Sequence, residues 1–204
     1  IGTQAQTPVI ISHHKCAGIQ NFGRSTETLI KIEEMRQKHP ISIDVYPYVA
    51  GSTMLASGRA MNAQKILVTW SRPHPEAAGK ELDEVAKDMN LDRESAIEKL
   101  SPAGGIFFMM DENDVRRILS YPHSIIGSDG LPHDDHPHPR LWGTFPRVLG
   151  HYVREIGLFS LEEGINKMTH KTALVFGLKD RGILRPGAYA DLVLFDPETI
   201  LDRA

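Results

Sequence analysis

Short apolar runs that end abruptly in polar side chains alternate along this chain with longer amphipathic stretches. Val9 to His14 (VIISHH) and Ser124 to Ser128 (SIIGS) are rich in β-branched residues and then turn polar, as a buried parallel strand does when it delivers side chains to a site. Thr26 to Lys38 places apolar side chains at Leu29, Ile30, Ile32 and Met35, with Ser25 and Thr26 as caps, which predicts an amphipathic helix. A further strand, ISIDVYPY at Ile41 to Tyr48, follows Pro40. Strand, helix and strand make one βαβ unit, so the expected class is α/β with a parallel sheet.

From about Pro47 to Met109 that rhythm fails. A helix or extended turn is expected near Arg59 to Lys65, a strand at Ile66 to Trp70, a turn at Pro73 to Pro75, and helices at Lys80 to Met89 and Arg93 to Leu100. About sixty residues far exceed the usual 2 to 6 of a βα connection, which predicts a functional lid rather than a simple linker. Order returns with a helix N-capped by Asp111 (DENDVRRILS), leading into the strand at Ser124. Helices are then expected at Pro146 to Glu155 and Leu161 to Val175, the latter ending at Gly177. A Pro-Gly turn and a strand at Ala190 to Phe195 follow, outside the βα rhythm.

Chemistry is expected where the strands stop. The first strand offers His13, His14 and Lys15, and the last offers Asp129 between Ser128 and Gly130. An imidazole to bind zinc and a carboxylate to take a proton from the metal-bound water are the elements of a hydrolytic site. Cys16 is the one cysteine, so it forms no internal disulfide and reads as a small packed residue. His133, His136, His138 and His151 are irregularly spaced among prolines, which favours a rigid loop over the sheet's mouth against a second metal site. With 204 residues, 41% of them hydrophobic, and a formal charge of −3, the composition is that of a soluble enzyme with no nucleic-acid or membrane partner. The chain carries no apolar run of the roughly 18 residues a membrane helix needs and no secretory leader, so a cytoplasmic location is the default. Its opening, IGTQAQTPVI, reads as a helix-to-strand connection, and the expectation is that it belongs to something longer.

SHHK, DVYPY followed by AGST, IGSDG, PHPR with GTFPRVLG, and LRPGAYADLVLFDP occur in one linked order. Together they resemble the D-aminoacylase (N-acyl-D-amino-acid deacylase) branch of the amidohydrolase superfamily, over essentially the whole chain. The resemblance implies a zinc-dependent (β/α)8 (TIM) barrel with a small β-sandwich. Residues 1–180 would supply barrel strands six to eight, 47–109 the lid insertion, and 181–204 the start of the C-terminal β element. It implies His13 as a Zn2+ ligand with His14 packed behind it, and Asp129 as the general base. Lys15, Tyr46 and Ser52 would hold the substrate α-carboxylate, Met110 an apolar wall, and Arg59 the side-chain carboxylate of an N-acyl-D-glutamate. Read without the resemblance, Lys15 and Arg59 are solvated cations and Tyr46 a core tyrosine. The other zinc ligands of the family have no counterpart here, so a missing N-terminal barrel half is the expected partner and the chain alone is expected to be inactive. The alternatives are a cyclic-amide amidohydrolase of hydantoinase or dihydroorotase type, or a non-catalytic fragment with an incomplete metal site.

Overall fold

The computed structural model describes residues 2–203. A one-turn helix α1 (Gly2–Ala5) leads to strand β1 (Val9–Ile11), followed by α2 (Ser25–Arg36) and β2 (Ile41–Val45). Strands β3 (Ala50–Met54), β4 (Lys65–Ser71) and β5 (Ala103–Phe108) then make an antiparallel unit, with α3 (Leu82–Asp88) and α4 (Arg93–Leu100) between β4 and β5. Helix α5 (Glu112–Ser120) leads to β6 (Ser124–Ile126). Helices α6 (Thr144–Arg147), α7 (Leu161–Met168) and α8 (His170–Phe176) complete the elements, with a π-helical stretch over Val148–Glu155.

The first sheet is parallel, in the order β1-β2-β6, with Val9 opposite Ile41 and Ile43 opposite Ser124. Its apolar residues are covered by the helices that alternate with the strands: Ile43, Val45 and Ile126 share a core with Leu29 and Ile32 of α2 and Val115, Ile118 and Leu119 of α5. The α/β class and the βαβ rhythm therefore follow from the apolar pattern. The strands are shorter than expected at their C-terminal ends. β1 stops at Ile11 because the backbone turns at His13, which adopts φ 50°, outside the range of a strand.

Helix α2 is capped from a neighbouring helix. Buried Asp114 of α5 accepts the backbone N–H of Gly23 at 2.7 Å and of Ser25 at 3.1 Å, together with the Ser25 hydroxyl and, at 3.1 Å, the Arg117 guanidinium. Asp111 caps α5 itself by accepting from Asn113 and Asp114, as its position before an acidic first turn predicts. On the opposite side, buried Lys167 of α7 donates to the carbonyls of Tyr121 and Ser124 and to the Ser124 hydroxyl, fastening α7 to the start of β6.

Residues 50–108 fold into a second sheet, β3-β5-β4, with a core of its own formed by Leu55, Ile66, Val68, Leu82, Val85, Leu100 and Phe107. The apolar pattern locates β4, α3 and α4 but misses β3 and β5, whose sequences AGSTM and AGGIFF begin with small residues. Gly104 has to be small: a Cβ there would lie 2.4 Å from the Trp70 indole nitrogen and 2.5 Å from the Thr69 hydroxyl. The element expected near Arg59 to Lys65 is a single 3-10 turn, Ala60–Asn62.

Two expectations are corrected downstream. The helix expected over Leu161 to Val175 breaks at Thr169, whose hydroxyl takes the Ile165 carbonyl that its own amide would otherwise hold. The strand expected at Ala190 to Phe195 is irregular chain, with Val193 86% and Leu194 100% exposed. A strand needs a partner for its hydrogen bonds, and none of the six strands among the described residues lies beside this segment. The last residues turn back onto the body instead: Arg154 donates to the carbonyls of Pro197 and Ile200, and Asp202 accepts from the Tyr48 hydroxyl at 3.1 Å and pairs with Arg147.

Asp114→Ala should lower unfolding free energy by about 2 to 3 kcal/mol, the usual loss of hydrogen bonds to a buried charge, measured by denaturant titration. A loss below about 0.5 kcal/mol, within the usual range of neutral surface substitutions, would show that the start of α2 is held by other means. Gly127, which follows β6, is packed against Asp44, and a Cβ there would sit 2.5 Å from Asp44 Oδ1. Gly127→Ala should therefore cost about 1 to 3 kcal/mol through overpacking and should speed exchange of the His13 amide, whose hydrogen bond to Asp44 it displaces.

Candidate active site

The site forms where the three parallel strands end. Within β2, next to its last residue, Asp44 keeps its carboxylate buried, and Oδ1 accepts the His13 backbone N–H at 2.9 Å while the Asp44 carbonyl accepts the His14 N–H at 2.8 Å. This clasp holds His13 in the left-handed region, a conformation that a residue with a Cβ adopts at some cost and that concentrates at functional sites. The His13 ring is thereby presented to the mouth of the sheet. Its Nδ1 lies 3.7 Å from Asp129 Oδ2 and its Nε2 lies 3.3 Å from the Ser128 carbonyl and 3.8 Å from Asp44 Oδ1. His13 and Asp129, chosen from strands 115 residues apart, thus face one another.

Beside them is a cluster of cations around an aromatic ring. Lys15 places Nζ 5.0 Å from the centre of the Tyr46 ring and donates to the His13 carbonyl at 2.5 Å, and the Arg140 guanidinium lies over the same ring at 4.7 Å. Arg140, itself buried, forms an ion pair with Asp129 Oδ2 at 2.8 Å and donates to the Ser52 carbonyl at 3.1 Å. Burial, reinforced by the charges of Arg140 and Arg59, pulls the Lys15 ammonium down to about 8 against the opposing pull of Asp129 and Asp44. Burial pushes the Tyr46 hydroxyl up to about 12, so it remains a hydrogen-bond donor at neutral pH. The Ser52 hydroxyl is buried with no partner among the described residues. Two cations close enough to depress an amine, a fixed phenol and a free hydroxyl make a place for a small anion.

The remaining expected residues sit further out. Arg59 is exposed at the start of the 3-10 turn, close enough for its charge to act on Lys15 and Tyr46. Met110 is buried in the same core cluster as Tyr46. His14 turns away from the mouth and bonds the Thr28 hydroxyl at 3.0 Å. Cys16 is buried, and burial together with the Asp114 charge raises its thiol, which therefore stays protonated. Of the histidine-rich loop, His133 and His136 are exposed, His151 pairs with Glu155, and only His138 is buried at the site.

Three side chains placed at the site are not singled out by the sequence: Asp44, His138 and Arg140. An aspartate inside the apolar run ISIDV was the signal for the first. For Arg140 and His138 the PHPR motif was visible, but its prolines suggested rigidity rather than chemistry. The donor set bears directly on zinc. Among the described residues no three His, Cys, Asp or Glu side chains converge as a metal cluster. At the strand ends the chain offers one imidazole and one facing carboxylate, fewer donors than the three or four protein ligands a zinc ion takes.

Comparison with known proteins bears on this geometry. The family model described as the Amidohydrolase family matches residues 51–203. Over the full 204 residues the chain is 55% identical to D-aminoacylase, 51% to N-acyl-D-aspartate deacylase and, over 205 aligned positions, 49% to N-acyl-D-glutamate deacylase, all of Alcaligenes xylosoxydans xylosoxydans. It spans 42%, 41% and 42% of their respective lengths. A crystal structure of D-aminoacylase matches the whole chain with TM-score 0.95 at 55% identity, over 43% of its own length. An N-acyl-D-glutamate deacylase of Bordetella bronchiseptica, complexed with zinc and a phosphonate that mimics the tetrahedral intermediate, matches with TM-score 0.95 at 48% identity, again over 43%. Similarity to a dihydroorotase of Lactobacillus johnsonii is 39% and confined to 55 residues. Among the described residues no helix is long and apolar enough to cross a membrane. On the family model and on the agreement in fold and sequence, this chain belongs to the amidohydrolase family.

Proposed function

We propose that this chain carries part of the active site of a zinc-dependent N-acyl-D-amino-acid deacylase, which hydrolyses its substrate to a carboxylate and a free D-amino acid. The observation that carries the reading is the His13 imidazole 3.7 Å from the Asp129 carboxylate, beside the Lys15, Tyr46 and Arg140 cluster. In this reading β1, β2 and β6 are strands six, seven and eight of a (β/α)8 barrel. Residues 1–180 belong to the barrel, 47–109 form its lid, and the rest of the barrel comes from outside this sequence. Metal-bound relatives of matching fold support the reading. The short span of the dihydroorotase similarity counts against a cyclic-amide substrate.

His13 would hold the zinc from this chain, with its other ligands supplied from beyond it. Zinc, when bound, supplies the positive charge that makes water acidic enough to attack at neutral pH. Asp129, as general base, would take a proton from the water that adds to the amide carbon and return it to the departing amine nitrogen as the C–N bond breaks. Arg140 fixes the direction of the Asp129 carboxylate through its 2.8 Å contact. Lys15, Arg140, the Tyr46 hydroxyl and the Ser52 hydroxyl receive the substrate α-carboxylate, and Met110 closes the apolar side. Arg59, at the start of the lid, meets the side chain, and its planar guanidinium suits the second carboxylate of an N-acyl-D-glutamate.

In the full-length protein, Asp129→Asn should lower turnover by roughly 10² to 10⁴ while bound zinc, measured by elemental analysis, stays constant. His13→Ala should instead release the zinc. Near-normal turnover in Asp129→Asn would remove the general base from this account. For specificity, Arg59→Leu should cost about 2 to 5 kcal/mol in kcat/KM on N-acetyl-D-glutamate and spare N-acetyl-D-methionine. An equal loss on both substrates, or on neither, excludes Arg59 as the reader of the side chain.

A further inference from the structure

The histidine-rich loop after β6 holds one residue that the reaction does not use and that the fold has buried at the site. His138 is 2% exposed and begins the 3-10 turn Pro139–Leu141. Its Nδ1 accepts the backbone N–H of Arg140 at 3.0 Å, so the ring proton resides on Nε2, which donates to the Ala50 carbonyl at 2.9 Å. The ring also meets Tyr48 edge-on, with centroids 5.2 Å apart and planes at 85°. Both nitrogens are engaged, so this histidine has no lone pair left for a metal.

The two bonds have a common consequence. His138 grips the first residue of β3, and Arg140, two positions further along the loop, grips Ser52, two positions further along β3. Loop and strand are therefore held in register, and that register carries the Arg140 guanidinium over the Tyr46 ring and onto Asp129. Cut the His138 bonds and the Arg140 N–H loses its acceptor and the loop its tie to β3, leaving the Thr144 hydroxyl on the Arg140 carbonyl at 2.8 Å as the side-chain anchor of that backbone; the long Arg140 side chain then regains rotamers that the present geometry excludes. Burial, with the Arg140 charge beside it, pulls the ring down to about 4, so it stays neutral and keeps its donor and acceptor distinct at neutral pH.

We propose that His138 is a positioning residue that sets Arg140 for gripping the substrate α-carboxylate, and so makes the site select free acids over their amides. This rests on the deacylase reading above. The test uses the full-length zinc protein and compares N-acetyl-D-methionine with N-acetyl-D-methioninamide in wild type, His138→Phe, His138→Asn and His138→Gln, with Tm recorded for each. Asparagine places an oxygen where Nδ1 lies and keeps the acceptor for Arg140; glutamine can reach only the Ala50 carbonyl; phenylalanine keeps the ring and loses both bonds.

His138→Phe should raise KM for the acid about 10- to 100-fold with kcat changed less than about threefold, and should narrow the preference for acid over amide by the same factor. His138→Asn should recover most of that KM, and His138→Gln should not. Should the Phe variant fail to fold, the contrast between Asn and Gln decides. The proposal is overturned if the Phe variant keeps the wild-type KM, or if Asn and Gln are equally impaired in proportion to their loss of Tm, since that is what a merely structural histidine would show. A wild type that treats acid and amide alike overturns the carboxylate reading itself and this proposal with it; a wild type that discriminates, beside variants that do so equally well, overturns the role of His138 alone.

Discussion

Everything at the mouth of the parallel sheet depends on one hydrogen bond, from the backbone N–H of His13 to the buried carboxylate of Asp44. A carboxylate taken out of water needs donors, and at the end of β1 the nearest donors are backbone amides that no strand partner uses. Satisfying Asp44 therefore turns the chain at His13, ends the strand, and swings the imidazole toward Asp129. The same carboxylate presses on Gly127, where any side chain would collide with it, so the clasp also constrains the strand that delivers Asp129. His13, Asp44 and Asp129 come from three strands, and the register Ile11 to Ile43 and Ile43 to Ser124 aligns them.

Around that clasp the charges are unequal. Lys15, Arg140 and Arg59 act on one small volume, while Asp129 and Asp44 oppose them and Asp44 is already committed to the backbone. Like charges brought together and partly desolvated raise the free energy of the empty site, and an anion that enters it relieves the repulsion. Much of the affinity for a carboxylate is thus built in before the substrate arrives. The Tyr46 ring, 5.0 Å from Lys15 Nζ and 4.7 Å from the Arg140 guanidinium carbon, moderates the repulsion, since its π-system attracts both cations.

The parts of this arrangement that were legible in the sequence are those that depend on local periodicity or on an abrupt change of polarity. β1, β2, β6, α2, α4 and α5 announce themselves by apolar spacing and caps, and His13 and Asp129 by standing where apolar strands stop. β3 and β5 open on alanine and glycine, where Trp70 and Thr69 crowd Gly104 of β5 and the Tyr46 hydroxyl lies close to Gly51 of β3, and such a strand carries no alternation to read. Asp44, His138 and Arg140 depend on partners 31 to 88 residues away, and no window along the chain contains both members. The C-terminal apolar run misled for the opposite reason: Leu192, Val193 and Leu194 have the composition of a strand, but pairing is a property of two segments.

The bond between Tyr48 and Asp202 joins positions 154 apart in a chain of 204 residues. Closing so wide a loop consumes chain entropy before the contact returns anything, so such contacts form late, after local elements have collapsed. Tyr48 adjoins the Pro47 carbonyl that Arg147 holds and lies edge-on to His138. The order of events in folding follows: the βαβ core and the β3-β5-β4 unit can assemble from neighbours in sequence, while the contacts of Asp202 with Tyr48 and Arg147 form after them. Synthesis from the N-terminus therefore leaves Tyr48 without this partner until the segment around Asp202 has emerged.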